Sequence, residues 1–287
     1  TDKFNSKITN NILKINNKIN LSLKDVNYLL NPYNFTINIK TTNPQILLEG
    51  RSLGIKEIQT NVALKSLIND QFLIDDLQIT TKEIKLNDIF ALARVFQKST
   101  QFFILDKIIK DGSVFANINL NFDASGKIKE NFKIEGYVKK VESNILNKFR
   151  LKNFNFSFSI RKNFFSLKQL DIELNDIKIT SRLIEVKKKQ NSFFVNGQFL
   201  NDNKNFDIEE FKLIFPSLLN DKNIQKIEFS SKNNFSFDFN KKLKFNNFKV
   251  ESIIDLNELI FNKNNLRLKP YFPSFIEEIK LEEHKIV

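Results

Sequence analysis

His284 is the only histidine in a chain that contains no cysteine. A nucleophilic triad needs a histidine or an equivalent base, and zinc sites draw on several Cys or His ligands. One histidine with no thiol supplies neither, so no catalytic residue and no metal ligand is assigned. Four carboxylate pairs are the remaining acid–base candidates: Asp75–Asp76, Glu209–Glu210, Glu277–Glu278 and Glu282–Glu283. Adjacent side chains on a strand point to opposite faces. Neighbours in sequence therefore do not form the facing pair that glycoside hydrolysis uses, and all four read as solvated surface. No GxGxxG or GxxxxGK[ST] run is present, and six glycines leave little room for a phosphate-cradling loop. Ser–Lys neighbours such as Ser6–Lys7 and Ser231–Lys232 arise by chance in a chain rich in both. The expectation is a protein that is not an enzyme and needs no cofactor.

The bulk composition narrows the choice differently. Hydrophobic residues make up 41% of the 287 and charged residues 27%, which is enough apolar matter for a folded core. The net charge is +12, and a basic surface attracts nucleic acid, anionic lipid or acidic partners. Two features discount that charge. Lys, Asn, Ile and Phe dominate while Trp, Met and Cys are absent, the skew that A/T-rich codons produce. The lysines are also scattered, with Lys187–Lys189 the densest run. Nucleic-acid binding places basic residues and aromatics on one face. Here the residues between phenylalanines are mostly Asn and Ser, so no nucleic acid is expected.

Those phenylalanines are the informative feature. Residues 153–160 read NFNFSFSI, putting Phe154, Phe156, Phe158 and Ile160 on one side. Residues 233–240 read NNFSFDFN, with Phe235, Phe237 and Phe239 in a second row. Val114, Ala116, Ile118 and Leu120 make a third. Strict alternation over four to eight residues is the signature of a half-buried strand. It recurs along the chain: Phe35, Ile37 and Ile39; Leu77 and Ile79; Leu170, Ile172 and Leu174; Phe194 and Phe199; Phe245, Phe248 and Val250. A change of phase between Ile134 and Tyr137 predicts a bulge near Gly136. Turn-forming runs separate these stretches, and about 16–20 short, mostly antiparallel strands follow.

Helical periodicity is confined to Asp88–Gln97 and Thr100–Lys110, with Gly112 read as the stop. Asp207–Leu213 and Pro273–Ile279 are further short candidates. The tetrapeptide LNDI occurs at 86–89 and again at 174–177, and FPSLL (215–219) resembles FPSFI (272–276), but the spacing is irregular. The whole of 1–287 reads as one β-rich array with a helical insert at about 88–111. No initiator Met, no signal-peptide pattern and a strand-like ending at LEEHKIV are read as a fragment of a longer protein. No run of about 18 apolar residues occurs.

A sheet with one apolar face must cover it. A closed β-sandwich or a barrel covers it with protein. A long curved antiparallel sheet, an open β-groove of repeated hairpins, can use lipid chains instead, and this is the fold the sequence favours. Apolar burial is favourable by about 25 cal/mol per Å² under either cover. The groove lining is assigned to Phe154, Phe156, Phe158, Ile160, Phe235, Phe237, Phe239, Val114, Ile118 and Leu120. With strands about 4.8 Å apart, the gutter would run roughly 75–95 Å.

Two stretches also carry a family resemblance. One is IIKDGSVFANINLNFDASGKIKENFKIEGYVKKVE (108–142): a helix end, Asp-Gly, a long strand, a short turn and a strand ending in Gly. The other is GIKEIQTNVALKSLINDQFLIDDLQITTKEIKL (54–86), with paired strands. Together they resemble the AsmA-like proteins of Gram-negative envelopes, the TamB/YhdP-type group. The resemblance implies an inner-membrane anchor upstream and a periplasmic β-groove. It implies passage of phospholipid acyl chains between membranes, or a part in outer-membrane biogenesis. No catalytic residue is carried over. The rival expectations are a structural or adhesive β-array with a protein-filled core, and a basic module that binds polyanions.

Overall fold

The alternating stretches do become strands. A computed structural model of the chain describes residues 19–23, 25–48, 51–64, 74–96, 100–123, 125, 127–145, 149–202, 209, 224–240, 242, 244–262 and 278–286. Among these are sixteen strands and two helices. The strands belong to one antiparallel sheet that is not closed into a barrel. No second sheet is laid over it among the described residues. The chain divides into two compact units, residues 1–141 with 157–165 and residues 142–156 with 166–287. The division passes through the sheet between residues 141 and 166, away from the helical insert.

In the first unit, β1 (Ile19–Ser22) pairs with β4 (Gln45–Leu48), and β2 (Val26–Asn31) with β3 (Thr36–Thr42). The long β5 (Arg51–Ala63) takes β4 along its first part and β3 along its second. β6 (Ile74–Thr81) follows, then β8 (Ile109–Asn121), with the two-residue β7 (Ile84–Lys85) paired to the start of β8. Paired residues on antiparallel strands share a face. Ile37 opposes Val62, Ile39 opposes Thr60, and Ile58, Ile79 and Ile118 stand in line across three strands. Leu77 opposes Leu120 in the next row. One face is thus apolar, and Val62 at its centre is wholly buried.

The helical insert is α1 (Leu86–Phe96) and α2 (Thr100–Ile108), joined by an Arg94–Asp106 ion pair of 3.1 Å. Asp88 in the first turn of α1 and Arg94 in its last complement the helix dipole. Gly112 is not the helix stop that the sequence predicts. The chain passes from Ile108 straight into β8, and Gly112 lies inside that strand at φ 141°. A Cβ there would stand 2.8 Å from Leu86 Cδ1 and 3.2 Å from the Val141 backbone. The glycine is required by packing of the insert against the sheet.

The strand order continues through β9 (Lys133–Ile145), β10 (Phe149–Arg161), β11 (Phe164–Leu174), β12 (Ile177–Lys188), β13 (Ser192–Asn201), β14 (Ile224–Asn240), β15 (Phe245–Asn262) and β16 (Glu278–Ile286), the last five lying wholly in the second unit. β9, β10 and β11 each have residues in both units. β11 turns into β12 through Asn175 (φ 47°) and Asp176 (φ 60°). Two consecutive residues at positive φ are the type I′ geometry that matches strand twist.

Non-glycine residues at positive φ also interrupt strands and reset the alternation. Lys140 (φ 53°) separates buried Val138 from buried Val141, so the bulge expected near Gly136 falls four residues later. Tyr137 consequently faces the other way, stacked on Phe115 with ring centres 5.1 Å apart. Gln169 (φ 52°) lets Leu167 and Leu170 join one apolar cluster. The Asp207–Leu213 and Pro273–Ile279 helix expectations fall outside the described residues, apart from helical Glu209 and from Glu278 and Ile279, which open β16.

Gly112→Ala should destabilise the fold by about 2 kcal/mol, combining a strained backbone with a clash. A urea midpoint unchanged from the parent would show that the insert does not seat as described.

Candidate functional site

The candidate site is the apolar face, and β-alternation builds it one strand at a time. On β14, Phe235, Phe237 and Phe239 oppose Gly197, Val195 and Phe193 of β13. Val195 and Gly197 in turn oppose Val186 and Ile184 of β12. Leu170, Ile184 and Val195 are the buried centre of a cluster that includes Phe154, Phe156, Phe235, Phe237 and Phe239. Five of the ten sequence-assigned lining residues are therefore brought together in the second unit. Phe158, Ile160, Val114, Ile118 and Leu120 lie in the first unit. There the Phe158 ring passes over Gly136, where a Cβ would come within 2.8 Å of the ring and would clash with the Phe115 carbonyl oxygen.

None of the ten is fully buried and none is fully exposed; all are half-buried. Among the described residues, the largest fully buried side chains are no bigger than Val62 and Ser166. A two-layer core of this many large side chains would bury many more.

The aromatic rows form a continuous surface. Phe199 stacks on Phe235 at 4.7 Å and 14°, and Phe193 on Phe239 at 5.0 Å and 18°. Phe237 meets Phe245 edge-on at 5.5 Å and Phe248 at 6.2 Å. Such ring pairs add about 0.5–1.5 kcal/mol each beyond area burial. Phe245 and Phe248 share this face because Asn247 (φ 53°) absorbs the odd residue between them. Their exposures are 61% and 68%, so the row opens outward along β15. In the sequence both read as apolar strand positions but not as lining, and the Asn between them is the only local signal of the bulge. Phe194 is a correction. β13 pairs with β14 without a break, so Phe193, Val195 and Phe199 share the apolar face while Phe194 lies behind it, 4.7 Å from Lys189 Nζ.

A polar row borders the phenylalanines. Asn233 donates to Ser231 Oγ at 2.9 Å and accepts from Ser252 Oγ at 2.7 Å, and buried Asn201 opposes Ser231. Beyond it lies a second apolar cluster of Ile177, Ile179, Ile224, Ile227 and Phe229.

The opposite face carries the charges, mostly as cross-strand pairs. Lys189 bonds Asp238 at 2.7 Å, Lys40 bonds Glu57 at 2.8 Å, and Lys226 contacts both Glu258 and Glu228. The Asn247 amide and then Lys189 hold the Asp238 carboxyl below its ordinary 3.8. The Lys133 and Ser159 bonds do the same for Glu135. Asp76 accepts the Asn61 N–H at 3.0 Å and lies with Asp75 in an open polar cleft with Asn34 and Asn121. Among the described residues, no group of three or more His, Cys, Asp or Glu could hold a metal. The other three carboxylate pairs and the His284 side chain fall outside the described side chains, apart from exposed Glu209. No helix of the described residues is long and apolar enough to cross a membrane.

Two outcomes follow from this geometry. A Cβ at position 197 would lie 2.9 Å from Phe235 Cζ and 3.0 Å from Ile184 Cγ1. Gly197→Val should therefore unseat the Phe235–Phe199 stack at a cost of about 1–3 kcal/mol, read by chemical denaturation. Asp238 is depressed in the folded state, so its stabilisation is present above pH 3.8 and drains away as pH falls through the lower folded value. Asp238→Asn should flatten the stability profile in that acid window; an unchanged profile would remove the assignment.

No family model, no curated protein and no solved structure matches this chain.

Proposed function

We propose that this chain is a segment of a lipid-conducting β-groove of the AsmA-like kind, in which phospholipid acyl chains lie along the phenylalanine rows. Transfer between membranes, or support of outer-membrane biogenesis from the periplasm, is the role this reading assigns. The observation that supports it is a single-layer open sheet whose apolar face is half-exposed, with its largest rings uncovered at β15. Apolar area left to water is unfavourable by about 25 cal/mol per Å², and an acyl chain relieves that cost as a second sheet would. The seven strands from β10 to β16 take six steps of about 4.8 Å, roughly 29 Å. That exceeds one acyl chain, whose length is about half of a 30 Å bilayer core. The Ser231–Asn233–Ser252 row then lies alongside the acyl lane, where its satisfied polar groups tolerate water or headgroups. Movement is passive sliding, with direction set by whatever loads and removes lipid. No single residue is indispensable, whereas a charge in the lane is costly to desolvate.

Gently purified protein, extracted with organic solvent and examined by mass spectrometry, should release several phospholipids per chain. Phe156→Asp with Phe237→Asp should lose most of them. Phe248→Asp is the cleaner variant, because that ring is 68% exposed and its replacement leaves the packed cluster standing. A folded, monodisperse and lipid-free parent protein would overturn the conduit and favour a structural β-array.

A further inference from the structure

The β2–β3 hairpin stands apart from the rest of the molecule. Val26–Ile39 is the longest run without Asp, Glu, Lys or Arg, fourteen residues in a chain that is 27% charged. Its large side chains are turned outward. Exposure is 71% at Leu29, 57% at Leu30, 92% at Tyr33 and 69% at Phe35. They do not share one face. Tyr28 and Leu30 oppose Ile39 and Ile37 on the apolar side of the sheet, Leu29 points to the other side, and Tyr33 and Phe35 extend from the turn. Among the described strands, β2 pairs only with β3, so it lies at an edge.

The turn is also prepared for an apolar setting. Asn31 Oδ1 accepts the N–H groups of Tyr33 at 3.1 Å and Asn34 at 3.3 Å, so two donors at the tip are satisfied from within. Phe35 sits at φ 48°, a conformation an aromatic residue rarely adopts, and its ring faces outward.

We infer that this hairpin docks on a lipid bilayer, with Tyr33 at headgroup depth and Leu29, Leu30 and Phe35 at the acyl boundary. A protein groove takes apolar side chains from one face of a strand. A hairpin end that turns an exposed apolar side chain to each face, Leu29 to one and Leu30 to the other, with Tyr33 and Phe35 at the turn, fits a medium that surrounds it. Tyr, with an apolar ring and a polar end, suits the membrane interface. The absence of charge from Val26 to Ile39 spares this part of the hairpin the desolvation cost that most of the chain would incur. Asp75, Asp76 and Lys129 line the cleft beside Asn34 and Thr36, and charges of both signs there favour a zwitterionic surface over an anionic one. The inference does not require lipid along the phenylalanine rows.

The chain has no tryptophan, so Tyr33→Trp introduces a single reporter. With phosphatidylcholine vesicles the indole emission of this variant should shift to the blue and be quenched by lipids brominated on the acyl chain. The Ile104→Trp control, on α2 and 51% exposed, should show neither effect. Leu29→Asp with Phe35→Asp should weaken vesicle binding by at least about tenfold while circular dichroism and melting stay unchanged. An unshifted emission from the Tyr33→Trp variant would overturn the inference, as would equal vesicle binding by the double variant. A double variant that only dissociates an oligomer of the chain would replace the bilayer with a second copy as the partner. Co-purified lipid is scored separately: a blue shift at position 33 without bound lipid retires the conduit and keeps the hairpin, and the reverse retires the hairpin alone.

Discussion

Among the described residues one β-sheet has no second sheet to hide its apolar face, and their other features follow from that. Strand alternation sends Phe, Ile, Leu and Val to one side and Lys, Glu, Asn and Asp to the other. In a sandwich the first set would be covered by its mirror image. Here the clusters are built from successive strands of one sheet, and their largest rings are left half-exposed. The packing that exists is lateral, ring against ring along and across strands, as at Phe235–Phe199 and Phe237–Phe245. Lateral contacts stiffen the face without covering it.

Register is then the quantity that matters most. A slip of one residue would move every phenylalanine of a strand to the wet side. Several devices hold it. Gly136 and Gly197 let an aromatic ring settle over a neighbouring strand, so that Phe158 and Phe235 mark the alignment like pegs. Bulges at Lys140, Gln169 and Asn247 correct the phase where the sequence carries one residue too many. Cross-strand bonds on the charged face, such as Asp238 to Lys189 and Asn247, lock the same pairings from behind. Exposed ion pairs contribute little stability individually; their value here lies in rejecting wrong registers.

The two proposals use the apolar surface in different ways. The phenylalanine lane is broad, single-faced and continuous along the sheet, which suits a chain-like ligand lying flat. The end of the β2–β3 hairpin is narrow, exposes apolar side chains in several directions and carries no charge from Val26 to Ile39, which suits entry into a medium. The polar row of Ser231, Asn233 and Ser252 separates two apolar clusters, so apolar area on this face is divided rather than spread uniformly.

Strand content, antiparallel order and the rows at Phe154–Phe158 and Phe235–Phe239 were legible in the amino-acid order alone. All three follow from a period of two, which is local. Phase and context were not legible there and came from the folded arrangement. The tetrapeptide Leu-Asn-Asp-Ile starts a helix at Leu86 and makes a type I′ turn at Leu174. The difference lies in neighbours distant in sequence. Asn175 exchanges bonds with the Arg150 backbone, and Asp176 meets Arg150 and Lys152 of β10. Phe194 and Phe199 look alike in the sequence and lie on opposite faces, because the unbroken pairing with β14 sets their parity. Gly112 reads as a helix stop and is instead the point where Leu86 and Val141 close on a strand. The open sheet itself could not be read from alternation, since a sandwich and a single layer bury one face with the same pattern. Whether a second sheet is present is a property of long-range pairing, and that is settled only in three dimensions.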